Sequence, residues 1–467
     1  MSSQQVASDA GLDAVIDAIP GRKVPAAMTT GGIAAMLIGL GAFAFGLSTN
    51  PAWAWAAVLV GVVYTLGIAQ GGVIFSVIST LTWARWSRPL KRVAEAFGFF
   101  LPIAWLALVV FLAAGNEIYP WNPNTIVEGG PVSLTPHSPA VLFASKPIWL
   151  SLGFFITRQI IGVGLLVALS LVYLRHSLRP DLMMAKARLG DKAPAFWDKI
   201  IGKRTISVTQ AVDEGQKGQT VFAAVIAGTY AVVFSMVAFD LIMSLSPIWY
   251  SNMFGGWFFT SSFWLSMQAL GIFALVSRDW LGLGTWVKTK TTHDLGKFIL
   301  AFTMAWAYML FSQILPIWYT NMPEETDFLL IRMALPQWSW MSKSVAVLCF
   351  VMPFTILLSR GIKKMRWPFV ALLVVMMFGV FMERSLLILP SVYKGDEFPV
   401  LTFAVVSIGV WVGFLGAFFL VVSQVLAKLP VLPISDPKLA DHEWDVHIHA
   451  LGDPHDHDHG HAGVRGA

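Results

Sequence analysis

The sequence predicts an all-α polytopic membrane protein of about ten transmembrane helices. Three observations carry this. Of 467 residues, 56% are hydrophobic and only 13% are charged, whereas about a quarter of a globular chain is charged. Apolar runs near the roughly 20 residues needed to cross about 30 Å of hydrocarbon recur ten times, at 27–47, 53–80, 93–114, 147–174, 220–245, 254–276, 298–319, 338–359, 367–389 and 398–426. The 20 Trp and 33 Phe, against 8 Tyr, suit helices that face lipid and cross two interfaces. A soluble protein with one core is excluded.

In chain order, residues 1–26 are polar, with Asp9, Asp13 and Asp17. They lack the charged start and short apolar stretch of a cleavable signal, so the first span is expected to remain. Most of the 32 Lys and Arg fall in alternate connections: Arg22 and Lys23; Arg85, Arg88, Lys91 and Arg92; the segment 175–219; and the stretches 278–297, 360–366 and beyond 428. Positive loops stay inside, which places both termini in the cytoplasm. The segment 175–219 is basic and hydrophilic and is read as an anchor.

The other connections carry Glu117, Glu128, Glu324, Glu325, Asp327, Asp396 and Glu397 among Pro and Trp, and form the expected docking face. The longest, 115–146, is too apolar for a linker and is expected to pack on something. The span region is 27–426, and 427–467 is expected to be a disordered cytoplasmic tail. Its run from His455 to His461 alternates His with Asp and suits loose binding of a divalent metal without fixed geometry.

One repeat is visible. Pro247-Ile248-Trp249-Tyr250-Ser251-Asn252-Met253 returns as Pro316-Ile317-Trp318-Tyr319-Thr320-Asn321-Met322, and Pro147-Ile148-Trp149 opens the fourth span. An aromatic belt explains the Trp and Tyr; a duplicated helical unit explains the near-identity.

Redox cofactors find few ligands. Cys349 is the one cysteine, so neither an intrachain disulfide nor a cluster held by this chain is expected. His176 and His293 lie at the polar ends of apolar runs, His137 in a Pro-rich loop and the other seven His in the tail, which leaves no pair for a transmembrane haem. Neither a tightly bound cofactor, a metal site nor a nucleic-acid partner is expected. A quinone such as menaquinone needs no covalent anchor and remains open.

Ionisable groups inside a span cost a few kcal/mol each, so each needs a partner or a task. Asp240 sits about 8 Å from the outer end of its helix and Arg158, beside Gln159, about 16 Å in from the same side. A contact between them would either fix packing or relay protons. Gln268 and Gln313 add neutral polar sites. Gln313 neighbours Trp318, Tyr319, Glu324 and Glu325, where a quinone ring would find an aromatic wall and a proton acceptor; Trp249 is the counterpart of Trp318 in the first repeat. Glu383 and Arg384 are expected to diverge on their helix and to seek other partners, with Glu383 a further proton acceptor. No catalytic residue is assigned.

The stretch Ala238-Phe239-Asp240-Leu241-Ile242-Met243-Ser244-Leu245-Ser246-Pro247-Ile248-Trp249-Tyr250-Ser251, followed by Phe254-Gly255, resembles the outer-helix signature of polysulfide-reductase-type (NrfD/PsrC) membrane subunits. Phe311-Ser312-Gln313 and the run Trp318 to Thr326 are similar to a second signature of that family, most closely as it occurs in alternative complex III, a bacterial quinol:cytochrome c (or other periplasmic acceptor) oxidoreductase. The resemblance covers about 27–426. It implies two four-helix bundles, spans 2–5 and 6–9, with the first and last spans peripheral, in the bacterial inner membrane. It also implies a sister ten-span subunit carrying the clearer quinol pocket, and periplasmic iron–sulfur and haem c subunits that take the electrons. The family often has Asp before Pro-x-Trp where this chain has Ser246, so Asp240 alone supplies acidity on that helix.

A structural and proton-conducting subunit, with Asp240, Arg158, Gln268, Gln313, Glu324, Glu325 and Glu383 on its path, is the favoured expectation. Direct quinol oxidation against Trp318 and Tyr319 is the alternative from the enzyme class. A secondary transporter is the third.

Overall fold

The computed structural model describes residues 12–127, 148–204, 206–393, 395–436 and 439. Ten helices among them are long and apolar enough to cross a bilayer: α1 (Ala26–Thr49), α2 (Pro51–Leu81), α3 (Arg88–Ala114), α4 (Leu152–Lys192), α5 (Val208–Leu245), α6 (Asn252–Val276), α7 (Thr289–Thr320), α8 (Pro336–Leu358), α9 (Arg366–Val392) and α10 (Val400–Lys428). Each coincides with one expected apolar run.

Helix ends follow local chemistry. Asn50 separates α1 from α2; its Oδ1 accepts from the Trp53 amide at 3.0 Å, and Pro51 starts the next helix, the combination of cap and first-turn proline that favours an abrupt restart. Helix α7 stops at Asn321, which is left-handed (φ 50°), and Pro323 opens the short helix Pro323–Met333. Single π turns interrupt α5 at Ala238–Ile242, α8 at Val347–Val351 and α10 at Phe403–Ser407.

Helices α2 to α5 pack among themselves, as do α6 to α9, and α2 joins the two groups by lying against α6 and α9. Helices α2, α6 and α9 are therefore almost wholly buried, while α1 and α7 are mostly exposed. The exposed side chains are themselves apolar, among them Leu37, Leu40, Val110, Ile161, Val232 and Phe311, which is tolerable only where the surrounding solvent is hydrocarbon.

The two end helices pair with each other at the periphery. Gly32 and Gly39 of α1 lie against Gly416 and Gly413 of α10, Gly409 lies against Ala42, and at the centre a Cβ on Gly39 would lie 2.5 Å from the Gly413 Cα. Small residues let helix backbones approach and gain dispersion contacts where lipid offers no hydrophobic drive. The segment before α1 also meets the end of α10, since Arg22 Nη1 donates to the Leu426 and Leu429 carbonyls, each at 3.2 Å.

Two expectations change. Segment 175–219 is largely helical: α4 continues as an α-helix to Leu189, and α5 begins at Val208 behind a Ser207/Gln210 capping box. The tail does not leave the fold at 427, because Leu429, Val431 and Leu432 are buried and Trp197 Nε1 donates to the Lys428 carbonyl at 3.0 Å. The polar N-terminus also packs in part: Ile16 and Ile19 join Leu178, Leu182 and Trp197 in a small apolar cluster. The His-rich run and residues 128–147 lie outside the described residues. Within 115–127, Tyr119 and Trp121 are buried against Phe155, so the described part of the long connection packs.

Candidate functional site

Buried ionisable groups collect at three depths. Near the Trp-rich face, Asp240 lies in the π turn of α5 and is fully buried. Arg158 of α4 reaches it with two nitrogens, Nε to Oδ2 at 2.6 Å and Nη2 to Oδ1 at 2.7 Å. Gln159 Nε2 donates to Oδ2 at 2.5 Å and Trp149 Nε1 to Oδ1 at 3.1 Å. A carboxylate has about four lone-pair positions, and all four are filled. Arg158 also stacks over Trp149, 4.1 Å from its centroid. The expected contact forms, but not with Arg158 deeper than Asp240. The chain before Leu152 is a turn, so Arg158 lies only about 9 Å along its helix.

At mid-depth, Glu383 and Arg384 of α9 pair with each other, Nη1 to Oε1 at 2.6 Å. The expected divergence fails because the long guanidinium stem curls back to its neighbour. Trp306 Nε1 donates to Glu383 Oε2 at 2.9 Å, and Arg384 Nη2 donates to Ser261 Oγ at 2.5 Å while its guanidinium covers Phe258. Two acceptor positions of Glu383 carry no protein donor. Gln268 lies about 10 Å further along α6 from Ser261. It is fully buried, and among the described residues neither its Nε2 nor its Oε1 has a partner; the Trp264 indole N–H and the Ser385 hydroxyl are likewise unpaired there. Buried polar groups in this state call for ordered water.

The third cluster lies at the basic face, around Arg92, Glu95 and Asp181. Arg92 binds Asp181 and Glu95, and donates to Ser177 Oγ at 2.9 Å and its carbonyl at 2.7 Å. Glu95 Oε1 accepts from Ser76 and Ser177, both at 2.7 Å, and Ser76 meets the Tyr173 hydroxyl at 2.8 Å. The backbone N–H of Ser435 donates to Asp181 Oδ1 at 2.8 Å, and Arg88 pairs with Asp436 at 2.9 Å. A cavity of about 80 Å³ bordered by Lys91, Arg92, Ser177, Gln219 and Asp436 adjoins it, room for a few waters. Sequence reasoning treated Arg88, Lys91 and Arg92 as topology anchors and passed over Glu95 and Asp181. The signal was Glu95 placed three and four residues after two cations, a spacing that pairs on a helix.

The remaining expected residues are dispersed over the Trp-rich face. Gln313 accepts from Ser251 Oγ at 3.1 Å, whereas Trp318 and Tyr319 point outward. Glu325 accepts from Thr320 at 3.4 Å; Glu324 opens the helix Pro323–Met333, and its side chain lies outside the described residues. Trp249 is buried and stacks on Phe328 with centroids 3.8 Å apart. The two repeats thus differ in backbone, one a turn and the other a final helical turn. A cavity of about 400 Å³ lies beside Asp240, lined by Trp149, Phe239, Ser244, Pro247, Trp249 and Tyr250. The indole N–H of Trp249 is buried without a partner. Among the described residues, no three His, Cys, Asp or Glu side chains converge as a metal site requires.

Comparison with protein-family models and with curated proteins finds no match to this chain.

Proposed function

We propose that this chain is an integral subunit of a quinol-oxidising respiratory complex of the polysulfide-reductase type, held in the bacterial inner membrane with both termini cytoplasmic, and that it conducts protons. Its partners are then a sister ten-span subunit that binds quinol and periplasmic iron–sulfur and haem c subunits that take the electrons. The proton role rests on one observation: the unpaired amide of Gln268, buried between the Glu383 and Glu95 clusters. A chain of polar groups with vacant hydrogen-bond positions is what a water-borne proton needs, and such groups persist in a membrane interior only for a task. In this scheme Glu383 and Gln268 carry the path, with Ser76 and Glu95 at its basic end. Asp240, whose acceptor positions are all filled, clamps α4 to α5, and Gln313, Glu324 and Glu325 stand apart.

Gln268→Leu separates conduction from stability. Removing an unsatisfied polar group leaves folding near neutral, so the variant is expected to assemble with an unchanged thermal midpoint. Proton release during quinol oxidation, followed with a pH dye in proteoliposomes, is expected to fall at least about tenfold. Wild-type release from a correctly assembled variant would dismiss the path.

A second reading, that quinol binds this chain, is supported by the cavity beside Asp240. Its volume lies in the usual ligand range, Trp149, Phe239, Trp249 and Tyr250 give it aromatic wall, and the Trp249 N–H, without a partner among the described residues, offers a donor for a quinone carbonyl. Photoaffinity labelling with a quinone analogue is then expected to mark Trp249 or Tyr250, and Trp249→Phe to reduce the yield by about fivefold or more. Label confined to the sister subunit would rule this reading out.

A further inference from the structure

At the basic face, a cavity of about 760 Å³ opens between the start of α7, the end of α8 and the turn that follows it. Lys290, Lys297, Arg360, Lys363 and Lys364 converge on it with His293, and among the described residues no carboxylate lines it. Asp294, outside the lining, pairs with Lys297 at 3.2 Å and lies 3.8 Å from His293 Nδ1. Ordinary positive-inside residues hold their charges out in water. Lys363 does not: the residue is 4% exposed, in the turn Ile362–Lys364, and its stem lies over Gly296, where an added Cβ would meet Cδ at 2.7 Å. Burial, with Lys297 and then Arg360 close by, pulls its ammonium below the usual lysine range. The His293 Nε2 atom is buried without a partner. The site is therefore positive and partly desolvated.

The wall above it is apolar. Met304, Tyr308, Phe311 and Leu315 follow Lys297 on α7 at offsets that share one helix face, and all are exposed. Leu358 lines the cavity itself, and Val351 and Val347 continue the exposed face of α8. A phosphate charge at the bottom and hydrocarbon rising alongside describe an amphiphile in the bilayer leaflet at the basic face.

We propose that this cavity is a binding site for an anionic phospholipid, its two-phosphate headgroup among Arg360, Lys363, Lys364 and Lys297 and its acyl chains along α7 and α8. Basic pockets between helices at this face suit such headgroups. Arg360, Lys363 and Lys364 alone carry more charge than one phosphodiester neutralises, which selects a diphosphate lipid of the cardiolipin kind.

The test uses the full chain, stripped of lipid in non-ionic detergent and titrated with tetraoleoyl cardiolipin under native mass spectrometry. Arg360 and Lys364 are exposed, so Arg360→Gln/Lys364→Gln should fold, and cardiolipin affinity is expected to fall roughly 30-fold for two lost surface charges. The exposed pair Lys192→Gln/Lys199→Gln, outside the cavity on the same face, is expected to bind as wild type, and millimolar inorganic phosphate is expected not to displace the lipid. Gly296→Leu, which removes no charge but crowds the Lys363 stem, is expected to weaken binding too. Unchanged affinity in Arg360→Gln/Lys364→Gln, an equal loss in the Lys192/Lys199 control, or displacement by inorganic phosphate, which would assign the site to a free anion, overturns the proposal.

Discussion

Glu383→Gln is expected to destabilise the protein by about 3–5 kcal/mol, because it strands a buried guanidinium. Arg384 is wholly inaccessible and faces Phe258, Ser261 and Ser262. Serine hydroxyls can orient it, but they cannot neutralise it. The variant should unfold at markedly lower temperature in detergent, read by loss of helical circular dichroism. The double variant Glu383→Gln/Arg384→Met should recover most of that loss, since a neutral pair of similar volume leaves no charge uncompensated. A double variant as unstable as the single one would mean that packing, rather than the ion pair, sets the stability of α9. Proton conduction should be lost in both, so stability and conduction come apart in the recovered variant.

Gly39→Leu is expected to force α1 away from α10. The new Cβ would meet the Gly413 backbone at 2.5 Å, and a backbone atom cannot step aside as a flexible side chain does. Overpacking of this kind costs about 1–3 kcal/mol, paid at a peripheral contact. Global helicity should therefore persist while limited proteolysis near Arg22 accelerates. Gly41→Leu is the internal control: nothing lies within 4 Å of its Cβ position, and it should leave both readouts unchanged. Equal sensitivity in the two variants would mean that lipid packing, rather than the glycine contact, holds α1.

The spans were legible because hydrocarbon demands long uninterrupted apolar runs, and that demand is written residue by residue. Their polar extensions were not. The stretch from Arg175 to Leu189 is as helical as the rest of α4, yet it carries no hydropathy signal once it leaves the bilayer. Arg158 and Asp240 could be paired from sequence since few charges lie at that depth and their helices are consecutive. Glu383 and Arg384 were misread because face geometry describes where a side chain starts, while a long guanidinium decides where it ends. The Arg92, Glu95 and Asp181 cluster was hidden by its own composition: cations at a span's end look like topology anchors, and only tertiary placement shows them buried. Trp318 and Trp249 share a sequence context but not an environment, because one sits on a lipid-facing helix end and the other stacks on Phe328.

The pairing of α1 with α10 sets an order on biogenesis. Arg22 and its acceptor at Leu426 are 404 residues apart, which at 5–20 residues per second amounts to roughly 20–80 s of synthesis. Helix α1 must drift beside the growing molecule until α10 emerges, and only then can the two pair and Arg22 reach its acceptors.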